Sequence, residues 1–399
     1  MNQVTINPCV KIAFLCVILL SILAIMTGYI PSMIYIFVYI ILMLLGIGFD
    51  KSINKSHKIL VIIFLTFFIG LRDFGIGTDT NVYIYDYFIN AKYIDNITEL
   101  INHDKGDKGF LLLAVIARIF GNDTQNLLLF TALFIYTFTL YSIKQFKYNN
   151  IKISLTIFLF LWCFTFLNDS MNAMRQFCAM SIVLCGFSYL LNRNWKVYVL
   201  LQFLAFFMHS SSVIALPLLG IYYFSSYPNK KKRNLITIIF LLCLLLSIGS
   251  IFTLLPLLAN WGIISVTYAD RYGAYSEFSS VNIFGPAFIA KTTIIYLLIY
   301  YNKKRNAIND KIAYLSYTIH SIAFILKLTA FFVIYLSRIS LYYDYIDIYL
   351  LAIILTNNKA PRIYVYGLCI CIVYLWFTSY IIGNSAETYP YESEILGIY

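Results

Sequence analysis

Apolar runs of membrane-crossing length recur from one end of this 399-residue chain to the other. A helix needs about 20 such residues to cross a hydrocarbon core. Candidate spans fall at 11–30, 32–49, 58–71, 126–143, 153–168, 171–192, 196–208, 212–226, 235–257, 284–301, 312–336, 339–356 and 363–382, with Pro31 splitting the first pair. Between them no stretch is long enough for a separate soluble domain. Only 12% of residues are charged, half the share of a soluble domain, roughly 25%. The expectation is one all-α polytopic membrane domain over 1–399 with about 11–13 transmembrane helices. The first run lacks a cleavage site and is followed at once by another, so it reads as an anchor.

The basic residues orient it. Connections 50–58, 144–152, 193–196, 230–233, 302–311 and 357–362, with Lys11, hold nineteen of the 29 Lys and Arg residues and only two acids, a net +17. The opposite connections hold eight basic and fourteen acidic residues, a net −6. The positive side is expected to be cytoplasmic, as is the N-terminus. The overall +11 thus reports orientation and gives no reason to expect nucleic acid. The alternation requires segment 72–125 to begin and end outside. Its apolar piece 109–120 is too short to cross and carries Arg118, which suits an interfacial or re-entrant helix. A loop over 258–283 and a tail over 383–399 should also face outward. Seven of the eight cysteines lie in apolar runs, so neither a disulfide framework nor a metal site is expected.

Polar residues interrupt the apolar sequence on the outer side. In Arg72-Asp73-Phe74-Gly75-Ile76-Gly77-Thr78-Asp79 a span ends, glycines permit a turn, and Thr78 is placed to cap a helix on which Asp79, Tyr83 and Asp86 share a face. The same residues would suit an ordinary capped loop. In Asn168-Asp169-Ser170-Met171-Asn172-Ala173-Met174-Arg175-Gln176, Asp169 or Ser170 is expected to cap, with Asn172, Arg175 and Gln176 on one stripe. An arginine at that depth needs a partner, hydration or a ligand anion. His209, in Met208-His209-Ser210-Ser211-Ser212, joins two short spans and could line an outer funnel. Arg271 and Arg338 lie on the same side. Deeper, Lys291 and Lys327 match Asp344 and Asp347 in depth, which predicts Lys–Asp pairing in a structural role. Four arginines on one net-acidic face suit a diphosphate, which planar donor forks bind well. No Walker loop, HExxH, GxSxG or DxD signature is present, so no cofactor is expected.

Arg72…Gly77-Thr78-Asp79…Tyr83, then Asn172…Met174-Arg175-Gln176…Ala179, then His209…Ser211 resemble the recurring pattern of EpsG-type polysaccharide polymerases, a group that includes many Wzy O-antigen polymerases. Arg338-Ile339-Ser340…Tyr343 and Tyr389-Pro390-Tyr391-Glu392-Ser393 are similar to that family's ending. The resemblance implies a GT-C-like helical membrane fold and polymerisation of undecaprenyl-diphosphate-linked repeat units at the periplasmic face of the bacterial inner membrane. Partners would be lipid-linked glycans and membrane lipid, with room for a chain-length regulator protein. Arg72, Tyr83, Asn172, Arg175, Gln176, Ser211, Arg271 and Arg338 would contact substrate or its diphosphate. Asp79 or His209 would deprotonate the acceptor, and the motif does not decide between them. A lipid-linked oligosaccharide flippase and an O-antigen ligase are the rival readings.

Overall fold

The structure is a computed structural model that describes residues 7–398, apart from 53–54, 95, 104–106, 147–150, 261–284 and 330–333. It is an all-α polytopic membrane protein, with no strand among the described residues. The helices are α1 (Pro8–Met26), α2 (Met33–Ser52), α3 (Lys55–Gly70), α4 (Thr80–Tyr83), α5 (Ile97–Asn102), α6 (Lys108–Ile119), α7 (Gln125–Gln145), α8 (Leu155–Asn172), α9 (Met174–Leu191), α10 (Trp195–Met208), α11 (Pro217–Phe224), α12 (Lys230–Asn260), α13 (Pro286–Lys304), α14 (Asp310–Thr329), α15 (Ile334–Thr356) and α16 (Arg362–Trp376). Seven described helical stretches are both long and apolar enough to cross a membrane. Leu15, Ile18, Leu19 and Ile22 of α1 are exposed, as are Leu200, Phe203, Phe206 and Phe207 of α10. Such contiguous apolar surface suits lipid and not water.

α8 and α9 are buried on nearly every side, so they form the centre of the bundle. They meet at Ala173, whose φ −85° and ψ 54° break the helix, and then diverge. Tyr345 of α15 fills the opening. It is hydrogen-bonded to Thr139 of α7 (2.8 Å) and Trp162 of α8 (2.9 Å), and packs on Phe166 and Phe177.

The basic connections gather at one end of the bundle. Asp50, at the end of α2, accepts from the Leu155 amide (2.8 Å) and the Thr156 hydroxyl (2.8 Å). A carboxylate thus caps the N-terminus of α8, where the helix dipole favours it. Asp310 pairs with Arg233 (3.1 Å) and Lys303 (2.9 Å). Both acids of the positive side are therefore committed to holding helix ends together.

Three local expectations change. Helix α4 begins at Thr80, with Asp79 at its cap position. Thr78 is not the cap, because its hydroxyl donates to Asn172 (2.9 Å). Asp169 and Ser170 lie in the last turn of α8 and cap nothing at the start of α9, since the Ser170 hydroxyl donates to the Leu167 carbonyl (2.7 Å). Asp86 falls within a π-helical turn, Ile84–Ile89, which rotates the residues after Tyr83 out of the simple i, i+4, i+7 register.

A candidate outer site around Arg175

At the end opposite the basic connections, the ends of α3, α8 and α10 meet the starts of α9 and α15. Gly77 makes the turn after α3 possible. Its φ is +92°, and a Cβ there would come within 3.1 Å of the Met171 carbonyl. The turn is clamped by Arg72, which is wholly buried. Its guanidinium donates to the carbonyls of Ile69 (2.6 Å) and Met171 (2.7 Å), and reaches toward Ile76 O and Thr80 Oγ1 (3.5 Å each). Burial pulls its pKa down to about 10, so it remains charged at neutral pH. The Asn172 amide oxygen takes the Asp79 N–H (2.8 Å), so a residue at the end of α8 caps α4 from outside.

The C-terminal tail fastens the same turn. The amides of Asp73 and Gly77 donate to the carbonyls of Glu392 (3.1 Å) and Glu387 (2.9 Å). Tyr391 stacks on Phe68 with ring centroids 4.4 Å apart, and its hydroxyl donates to the Phe68 carbonyl. Thr388 accepts from Asn168 (2.9 Å).

On this scaffold, one carboxylate oxygen organises the charges. Asp107 Oδ2 lies 2.6 Å from Arg175 Nη1 and 3.1 Å from His209 Nδ1. Gly109 permits the approach, since a Cβ there would stand 2.9 Å from the Phe207 carbonyl, just before His209. Burial pushes the Asp107 carboxyl up. The His209 hydrogen bond, Arg175 and the Ser210 amide together outweigh it and hold the group below the usual carboxylate range. Arg175 also donates to Tyr87 (2.5 Å) and lies 5.1 Å from the ring centres of both Tyr83 and Tyr87. Its Nε is buried with no partner among the described residues.

Tyr83 links this group to a second pair. Its hydroxyl donates to Asp79 (3.3 Å), and Asp79 pairs with Arg338 (3.2 Å). Gln176 donates to the Arg338 carbonyl, and Ser211 lies 3.0 Å from the Tyr342 hydroxyl. Tyr83, Asn172, Arg175, Gln176, Ser211, Arg338, Asp79 and His209 are thus drawn to one end of the bundle. Arg72 supports them from beneath, and Arg271 lies outside the described residues. No group of His, Cys, Asp or Glu side chains among the described residues is arranged to hold a metal.

The sequence profile described as the EpsG family matches residues 55–393. The chain belongs to the EpsG family. It is the family of Wzy-like polysaccharide polymerases, and the match runs from α3 through the tail that fastens the Arg72 turn. No curated protein and no solved structure matches this EpsG-family chain.

Asp107 and Tyr87 were missed by sequence reasoning. Asp107 looked like one acid among several in a polar outer loop, and only the Gly109 contact with α10 brings it to His209. Below the site, Lys327 pairs with Asp344 (2.9 Å) as matched depth predicts. Asp347 instead pairs with His320 (2.7 Å), a residue that reads in sequence as one polar position in an apolar run.

Proposed function

We propose that this protein polymerises undecaprenyl-diphosphate-linked repeat units, with the Arg175 cluster as its reaction centre. The observation that carries this reading is the sharing of one buried carboxylate oxygen by a guanidinium and an imidazole. A histidine whose Nδ1–H donates to Asp107 keeps an accepting lone pair on Nε2. His209, a quarter exposed, would take the proton of the acceptor hydroxyl as its oxygen attacks the anomeric carbon of the growing chain. The bond from that carbon to the diphosphate breaks, and undecaprenyl diphosphate leaves carrying the electron pair. Arg175, with its unpartnered Nε, and Arg338 would stabilise the charge that develops there, the effect that contributes most in comparable acyl and phosphoryl sites. Fixed guanidinium groups can perform the neutralisation that other transferases assign to a divalent ion. The surrounding tyrosines suit stacking on sugar rings. Asp79, paired with Arg338 and Tyr83, would position the second arginine, which leaves His209 the better base.

In this reading the site faces the periplasm from a bacterial inner membrane, because the opposite end carries the +17 excess. Cysteine introduced at Tyr268 should react with an impermeant reagent added from outside, and cysteine at Lys231 should not. The activity test is elongation of lipid-linked repeat units by purified protein without ATP or added divalent metal. Wild type should give a ladder, and Arg175→Ala a single unit. Cells carrying Arg175→Ala should display surface glycans of one repeat unit. Loss of all delivery across the membrane would instead favour a flippase, and accumulation of long lipid-linked chains would favour a ligase.

A further inference from the structure

Elongation joins two lipid-linked units, so two diphosphates anchored in the same leaflet must be held at similar depth. The inference below therefore rests on the polymerase reading. The Arg175 cluster provides for one diphosphate. Most other described cations at that end are committed elsewhere. Arg72 is enclosed by carbonyls, Arg118 donates to the Phe88 carbonyl (3.3 Å) and Lys108 donates to the His103 carbonyl.

Lys291 has no such commitment among the described residues, and Lys327, ion-paired with Asp344, stands opposite it. They face each other across a seam between α13 and α14, with α15 as its floor. The helices meet through Tyr296, whose hydroxyl lies 2.7 Å from Ser321 and whose ring packs edge-on against His320, and through Phe288 stacked on Phe324 at 5.9 Å. Both ammonium groups lie beside the Phe288 ring, at 5.7 Å for Lys291 and 5.9 Å for Lys327. Lys327 pairs with Asp344, while Asp347 is taken by His320. Among the described residues no carboxylate lies within ion-pair distance of Lys291. A ring face compensates an ammonium only weakly at membrane depth. His320 Nε2, fully enclosed, also lacks a partner among the described residues. Phe288, Lys291, Phe324 and Lys327 are all half-buried, so the seam they line reaches the bundle surface. Lys291 lies six residues past Gly285, the cap residue of α13. At about 1.5 Å per residue it is about 9 Å below that helix end, within reach of a headgroup for a long, flexible lysine.

We propose that the α13–α14 seam binds the phosphate headgroup of a lipid through Lys291 and Lys327, and that this lipid is the second diphosphate-linked substrate. The probe is undecaprenyl diphosphate, titrated into full-length protein in phosphatidylcholine nanodiscs, with bound lipid counted by native mass spectrometry. Wild type should bind two molecules. Lys291→Gln, which strands no paired carboxylate, should remain monodisperse and weaken one of the two about tenfold or more, while Arg175→Ala weakens the other. Lys291→Met repeats the measurement should the glutamine variant fail to fold. Two molecules bound to the Lys291 variant at unchanged affinity would overturn the proposal. So would phosphatidylglycerol that fills the seam and resists equimolar undecaprenyl diphosphate, because the site would then belong to bulk phospholipid. If Arg175→Ala changes neither affinity while Lys291→Gln removes one lipid, the Arg175 reading fails and the seam site stands.

Discussion

Arg72 and Arg175 occupy the same outer end of the bundle and look alike in sequence, yet their surroundings differ. Arg72 sits in a closed cage of carbonyl oxygens. Arg175 rests on two tyrosine faces, spends one nitrogen on Asp107 and Tyr87, and keeps Nε unpartnered. A saturated guanidinium can only hold structure together. One with donors to spare in a partly buried place can receive an anion without first breaking its own contacts. The difference lies in how many donors are already used, which burial alone does not reveal.

The sharpest way to break this comparison is to truncate both. Arg72→Ala should sharply reduce accumulation of folded protein, since it leaves the buried Ile69 and Met171 carbonyls without donors, at about 1–3 kcal/mol each. Arg175→Ala should still insert and accumulate, with a smaller loss of thermal stability because Asp107 keeps His209, while elongation falls a hundredfold or more. Equal folding defects in membrane yield and size-exclusion profile would erase the distinction drawn here. Next, Arg175→Lys should recover less than a tenth of the elongation rate, because an ammonium cannot reproduce a planar fork.

Asp107→Asn probes the bridge between the two functions of the cluster. The folded carboxyl is held below its ordinary value, so its contribution to stability is complete above about pH 4. That contribution is lost as pH falls through the lowered folded value. The asparagine variant should therefore be less stable at neutral pH and should lack this acid-dependent loss in thermal melts. Its elongation rate should also fall about tenfold through misorientation of His209. An unchanged pH profile of stability would detach Asp107 from the charge network. Asn172→Ala should have the smallest effect, a few-fold loss of rate from a looser Asp79 turn, consistent with loss of a cap worth about 1 kcal/mol.

The membrane-spanning pattern was legible because hydrocarbon thickness and helix rise leave little freedom. The outer motifs were legible as polar interruptions at span ends, where Asp107 joins Arg175 to His209 and Asp79 pairs with Arg338. Asp107 was not legible, because its importance depends on a backbone contact between Gly109 and α10, about a hundred residues away. His320 was hidden for a related reason. A neutral imidazole barely disturbs an apolar run, and its partner Asp347 was assigned by depth to a lysine. The cap of α4 differs from expectation because the Thr78 hydroxyl is spent on Asn172, distant in sequence, and Asp79 takes the cap position. In each case the sequence shows which groups need partners, while packing decides who they are.

The tail that ties down the Gly77 turn sets an order of events. Residues 386–394 are translated after all the described helices of the bundle, yet they hold a loop made near the beginning. During biogenesis the early turn must therefore wait, with its amides hydrated, until α16 has emerged and the tail can dock. Ribosome-bound chains long enough to contain every reactive side chain, but stopped before Glu387, should bind no diphosphate at the outer site. Competence would thus arrive late and all at once.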